Sequence, residues 1–161
     1  MSAPSVLLVS DVIWEKTLSL FGVYASAEVE AGCFWYGHKT DDLATAVVVG
    51  IPRQHNYPRH FEIDADDLAA LTEKACASGL VAVAQLHSHP GYDVDQSPWD
   101  EQRVISQNVS ALVLPYYGAS PCPLASVGVH RYINRTWKRL SVIEAETALR
   151  IEPALVDMRT E

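Results

Sequence analysis

The sequence predicts one mixed α/β domain, a single sheet covered by helices on both sides, of α/β or α+β class. Three observations carry that prediction. The chain has 161 residues, enough for one domain with a real core and too few for two. Hydrophobic residues make up 48% and charged residues 20%, an ordinary globular balance. Short apolar runs bounded by glycine and proline alternate with stretches of helical periodicity, the pattern of layered strands and helices.

In order, Ser5 to Val9 reads as a short strand. Ser10 caps a helix running to about Ala25, with Ile13, Trp14, Leu18, Phe21 and Tyr24 at helical spacing as core. Ala31 to Tyr36 is a strand whose Cys33, Phe34, Trp35 and Tyr36 suit a buried sheet position. Residues 37–42 read as a turn into a pairing strand, Leu43 to Ile51. A polar connector follows over 52–62, holding Arg53, His55, Arg59 and His60 beside Tyr57 and Phe61. Asp64 caps the next helix, with Asp67 at N3, Leu68, Leu71 and Ala75 on one face and Gly79 as its stop.

Val81 to His89 is a buried strand closed by Pro90, which cannot donate to a ladder. A helix starts at Ser97, with Val104, Ile105 and Val109 facing inward. Ala111 to Pro115 is a further strand, 116–123 a loop, Leu124 to Ile133 a strand, and Leu140 to Arg150 a helix. Residues 151–161 have no pattern, so the domain is placed at 1–150 with a tail at 151–161.

Composition excludes several functions. A net charge of -8 with no basic run disfavours a nucleic-acid surface. The apolar run Val6 to Val9 is far too short for a signal or a membrane span, so a cytoplasmic protein is expected. Cys33, Cys76 and Cys122 are odd in number and scattered, which argues against a disulfide framework and a cysteine-ligated zinc.

The chemistry concentrates in residues 85–101, QLHSHPGYDVDQSPWDE. Strand alternation puts Val81, Val83, Gln85, His87 and His89 on one face, so both imidazoles point the same way. Ser97 before Pro98 is an N-cap with proline at N1, and Asp100 falls at N3 of the first turn. Two histidines and a carboxylate on rigid elements supply three ligands and leave one position of a tetrahedral zinc open. Taken singly, Ser97 is explained as a cap and Asp100 by the helix dipole; the conjunction at fixed offsets points to a metal. An EF-hand lacks its mid-loop glycine and closing glutamate here, and a dinuclear site would need Asp and His where Gly91 and Tyr92 stand. A barrel amidohydrolase needs a longer chain.

His87-Ser-His89-Pro90, six residues, Ser97, two residues, Asp100 resembles the signature of the JAMM (MPN-plus) zinc metalloproteases, H-x-H-P-x6-S-x2-D. That family also carries an upstream E-x-x-G-x-x-x-G. Residues 30–37, EAGCFWYG, match it at Glu30 and Gly37 and depart at Cys33, with Gly32 one position early. Glu28 is the rival for the glutamate, nine residues before Gly37 instead of seven. The resemblance covers about Glu30 to Asp100, and the small chain is similar to the compact prokaryotic JAB-domain members.

The resemblance implies a curved mixed sheet with flanking helices, a Zn2+ ion held by His87, His89 and Asp100, Glu30 as general base and Ser97 as oxyanion donor. It also implies a substrate: the bond after the C-terminal glycine of a ubiquitin-like protein, in a conjugate or a precursor. The connector residues Arg53, Tyr57, Arg59 and Phe61 are candidates for the wall of a groove holding an extended tail. Two other classes stand beside this isopeptidase: a non-catalytic partner-binding MPN scaffold, and a hydrolase of small amides. Oligomeric state is left open.

Overall fold

A computed structural model describes residues 3–153 and carries one eight-stranded mixed sheet, a separate two-stranded hairpin and four helices. The strands are β1 (Val6–Ser10), β2 (Gly32–Lys39), β3 (Leu43–Gly50), β4 (Gln54–Tyr57), β5 (His60–Ile63), β6 (Val81–Ser88), β7 (Ser110–Leu114), β8 (Gly128–Ile133), β9 (Thr136–Arg139) and β10 (Leu149–Glu152). The helices are α1 (Asp11–Ser26), α2 (Ala65–Ala77), α3 (Pro98–Arg103) and α4 (Val142–Ala148). The large sheet runs β10-β1-β3-β2-β6-β7-β8-β9, with β4 and β5 paired apart from it. The mixed α/β class expected from the sequence is the class observed.

The centre of the sheet is β2, buried on both faces as its unbroken apolar run requires. Alternation sends Cys33 and Trp35 into one core and Phe34 and Tyr36 into the other. On the first face α1 lays Trp14 edge-on against Trp35, ring centroids 6.3 Å apart, and Thr17 Oγ1 accepts the indole N–H at 2.9 Å. On the second face α2 packs Leu68, Leu71 and Ala75 over Phe34 and Tyr36. Helices therefore cover both faces, with β2 and β6 between them. No helix among the described residues is long and apolar enough to cross a membrane.

Several boundaries differ from the sequence reading, each for a local reason. Gly37 and His38 continue β2 instead of starting a turn, because a bulge at Tyr36–Gly37 keeps the pairing with β3. A Cβ at Gly37 would lie 1.7 Å from the Thr45 carbonyl oxygen, so only glycine fits that approach. The polar connector is not a loop: β4 and β5 form a hairpin turning at Pro58-Arg59. Helix α3 stops at Arg103, leaving Ile105 exposed and Val104 extended, since the Gln85 side chain binds the Arg103 carbonyl and the Ile105 N–H.

Residues 124–126 form a 3-10 turn ahead of β8, which pairs with an unforeseen β9 through Asn134 and Arg135, both at positive φ. The expected helix over Leu140 to Arg150 is shorter. Ser141 and Glu144 make a capping box, and Leu149 leaves the helix to pair in parallel with Leu7. The domain thus runs to Glu152, past the expected boundary at 150; of the expected tail, residues 154–161 lie outside the described ones.

Candidate metal centre

His87 stands near the end of β6 and His89 just beyond it, on the face turned towards the β4–β5 hairpin. His87 pairs with Gly32 across the sheet, and the missing side chain there admits the Phe61 ring, which a Cβ would meet at 2.6 Å. Phe61 in turn lies against the His87 imidazole, centroids 6.1 Å apart. Beyond the strand, His89 is fixed by its neighbours: its N–H donates to the Leu114 carbonyl, and its Nδ1 donates to the Asp93 carbonyl at 2.8 Å. Nε2 of His89 is thereby left as the atom facing inward.

Asp100 reaches the same point from α3. The helix opens on a capping box in which Ser97 Oγ accepts the Asp100 N–H at 3.1 Å and Asp100 Oδ2 accepts the Ser97 N–H at 2.8 Å. The approach to Ser97 is held by His130, buried on β8, whose Nδ1–H donates to the Ala111 carbonyl while Nε2 accepts the Gln96 N–H. Burial pushes the His130 imidazole down to about 4, so it is neutral and suited to accept that bond. The far end of α3 is tied to β6 by Gln85.

Three atoms converge. His87 Nε2 lies 3.1 Å from His89 Nε2, and these nitrogens lie 3.5 and 3.3 Å from Asp100 Oδ2. Zinc bonds of 2.0–2.1 Å in tetrahedral geometry put ligand atoms about 3.3 Å apart, so the residues present fit that ion. The polarity fits as well. With Nδ1–H of His89 given to Asp93, its Nε2 meets a carboxylate oxygen and another ring nitrogen with no proton of its own in the neutral ring. A cation placed between them would meet all three atoms.

Charges in the site follow from the same packing. Burial opposes ionisation of Asp100, yet hydrogen bonds from His87, His89 and the Ser97 N–H hold its carboxyl well below the usual carboxylate range. Burial likewise works against a charged His89, but Asp100 and the Asp93 carbonyl outweigh it and raise the imidazole above its ordinary value. Asp100 therefore stays charged, while the proton that Asp100 favours on His89 must leave before its Nε2 can ligate a metal, so metal binding weakens as pH falls.

Glu30 enters from the β2 side. Its N–H donates to the Tyr57 carbonyl at 2.9 Å and its carbonyl accepts from Asn56 Nδ2 at 2.9 Å, so the hairpin fixes its backbone. The side chain lines the same cleft as His87, His89, Ser97 and Asp100, a cavity of about 420 Å³. Burial pushes its carboxyl up to about 7; Asp100 adds to the rise, while His89 and Arg59 pull it back. Glu28, the rival, is exposed on a left-handed turn after α1 and does not line the cleft.

The candidate groove residues divide. Arg59 and Phe61 line the cleft, whereas Arg53 and Tyr57 do not. Arg53 faces α2, where its guanidinium meets Asp67 at 3.5 Å and its N–H binds the same carboxylate. Tyr57 pairs with and stacks on His60, centroids 4.3 Å apart, and of that pair only His60 lines the cleft. The sequence reading did not single out Trp99 and Arg103, which line the cleft and stack on each other at 3.8 Å. Their four-residue spacing on a helix was the available signal.

The pKa of Glu30 has a consequence for stability. A carboxyl at about 7 in the fold, against 4.5 ordinarily, binds its proton more tightly folded than unfolded. Its contribution is full below about pH 4.5 and is lost as pH rises through about 7. Urea unfolding of the metal-free chain at about pH 5 and about pH 7.5 is expected to show a larger loss in the wild type than in Glu30→Gln. An equal loss in both would remove Glu30 from the pH response. A dication beside Glu30 favours the carboxylate, so zinc should narrow the difference.

No protein-family model matches the chain, and no curated protein matches it. Solved structures do. The solution structure of a Desulfitobacterium hafniense protein aligns at TM-score 0.71 with 16% identity, covering 93% of this chain and 95% of that one. A Salinibacter ruber protein aligns at TM-score 0.59 with 20% identity over 91% and 92%. At these identities the likeness concerns the fold alone.

Proposed function

We propose that the chain is a zinc-dependent peptidase of the JAMM type, cleaving the bond after the C-terminal glycine of a ubiquitin-like protein in a conjugate or precursor. The observation that carries this reading is the convergence of His87, His89 and Asp100 at zinc spacing in a cleft that also holds Glu30. His87, His89 and Asp100 would hold a zinc ion, which would supply Lewis acidity and a more acidic water at neutral pH. Glu30, ionising near neutrality, takes a proton from the attacking water and returns it to the leaving amine. Ser97 Oγ accepts the Asp100 N–H, which leaves its hydroxyl hydrogen to donate to the oxygen where charge develops, worth about 3 kcal/mol.

The walls support a small residue beside the scissile bond. Phe61 and Trp99 flank the metal ligands, and bulky residues beside the scissile bond would meet them. Glycine on the acyl side passes. A partner-binding scaffold has no use for a buried glutamate beside three convergent ligand atoms, which favours chemistry over scaffolding. Three unpaired cysteines, two of them buried, support a reducing compartment, the cytoplasm.

The test compares substrates. Zinc-loaded chain is expected to release a Gly-Gly-tailed ubiquitin-like protein from a lysine amide with higher kcat/KM than it cleaves an acetyl-Gly-Gly peptide amide. The folded partner adds remote binding energy that the peptide lacks. A chelator should stop both and zinc restore them. No cleavage of either would sink the peptidase reading. Efficient cleavage of the peptide with no gain from the folded partner would favour the small-amide hydrolase.

A further inference from the structure

The metal centre accounts for Glu30, Ser97 and the three ligands, but two guanidinium groups in the same cleft remain unused. Arg59 sits at the turn of the β4–β5 hairpin, and Arg103 ends α3. Both line the cleft. Arg103 has its Cζ over the Trp99 ring, 3.8 Å from the centroid, and its Nη1 donates to the Phe61 carbonyl at 3.4 Å. These two contacts anchor the guanidinium and leave further N–H groups to donate.

The cleft's own carboxylates have other partners. Asp100 is held by His87, His89 and the Ser97 N–H, and Asp93 Oδ1 accepts the Asp95 N–H at 2.9 Å. Glu30 feels Arg59 only as a field. Among the described residues neither Arg59 nor Arg103 has a carboxylate within 4.0 Å, although the chain carries a net charge of -8. Two guanidinia with no ion pair of their own, beside a site that would hold a dication, leave donors turned to a cleft where an anionic group can take them. A guanidinium fork braced on an indole matches the planar geometry of a carboxylate.

We infer that Arg59 and Arg103 select substrates bearing a carboxylate within one or two residues of the scissile amide. The inference rests on the peptidase reading for the site and adds the chemistry of what the site accepts. Two sources present that group: a free C-terminal carboxylate on the amine side, or an acidic side chain next to the bond. Arg59 and Arg103 act as specificity residues, binding the substrate without touching the reacting atoms.

The test reads binding, not turnover. Zinc-loaded Glu30→Gln chain is titrated by calorimetry with acetyl-Gly-Gly-Ala as acid and as carboxamide, and with acetyl-Gly-Gly-Glu and acetyl-Gly-Gly-Gln amides. At least one carboxylate is expected to bind roughly tenfold tighter than its neutral partner, the margin of one charge-assisted pair. The acid–carboxamide pair reads the terminal source and the Glu–Gln pair the side-chain source. Arg59→Gln with Arg103→Gln should erase the preference, leave zinc content unchanged and leave carboxamide affinity near its original value. Arg103→Lys, which keeps charge and loses the fork, should retain only part of it.

Equal affinities for acid and amide, or no binding of any peptide, would overturn the inference. So would a preference that survives both arginine substitutions, since the carboxylate would then sit on the metal. The two readings fail separately. A carboxylate preference beside a zinc-loaded wild-type chain that hydrolyses none of these peptides counts against the peptidase, while wild-type hydrolysis with equal affinities in Glu30→Gln counts against the arginines.

Discussion

Glu30→Gln is expected to keep zinc and fold while cutting turnover by about 10²–10⁴-fold, the range for loss of a general base. The fold survives because Glu30 is held through its backbone, by the Tyr57 carbonyl and Asn56 Nδ2, and the amide leaves both bonds intact. Zinc survives because the three converging ligand atoms belong to other residues. What disappears is a carboxyl that burial has brought to about 7, where it exchanges protons at neutral pH. The measurements are zinc content, thermal unfolding and kcat on the same preparation. Glu28→Gln is the control, since its exposed side chain lies off the cleft. Should Glu28→Gln abolish turnover and Glu30→Gln leave it, the base has been misplaced by two residues. A Glu30→Gln chain of full activity would leave the site with no proton acceptor of the required kind.

The convergence of His87, His89 and Asp100 was legible because each lies in a local pattern that the fold preserves. Alternation on β6 put His87 and His89 on one face, and the capping box at Ser97 fixed where Asp100 points. The burial of β2 on both faces was legible for the same reason, an apolar run with no polar break. What stayed hidden depends on contacts made at long range. The length of α3 is set by Gln85, far away in sequence, so Val104 and Ile105 continued a helical pattern that the chain does not follow. Leu149 could extend α4 by propensity; pairing with Leu7 in an edge strand overrides it. The β8–β9 hairpin turns on Asn134 and Arg135 at positive φ, where arginine gives no turn signal.

The same distinction explains the cleft walls. Arg53, Tyr57, Arg59 and Phe61 shared a polar, aromatic connector, and only a hairpin register decides which of them face inward. Position 61 does, opposite the glycine at 32, and position 57 does not. Trp99 and Arg103 lay on a helix whose other residues were already explained as caps and ligands. Their stacking is a local contact, but its place beside His87, His89 and Asp100 depends on how Gln85 of β6 ties down the end of α3.

His87→Ala/His89→Ala is expected to abolish zinc binding while the wild type holds about one zinc per chain. The ligand atoms are positioned before any metal arrives: His89 by the Asp93 carbonyl, His87 by Phe61, and Asp100 by the Ser97 N–H. Little ordering remains to be done on binding, so affinity comes close to the full strength of the bonds formed. Losing even an outer partner of a metal ligand costs roughly 10–100-fold in affinity, and losing a ligand itself should cost more. His89→Ala alone is therefore expected to lose most of its zinc through dialysis. The fold should persist in both variants, because the cores built on Trp35 and on Phe34 and Tyr36 do not include either histidine. Zinc at 100 times its dissociation constant adds about 2.7 kcal/mol to wild-type stability, a shift readable in urea unfolding and expected to vanish in the double variant. Stoichiometric zinc in a folded double variant would put the metal elsewhere, and the convergence at 3.1–3.5 Å would then be a hydrogen-bonded cluster with no hydrolytic role.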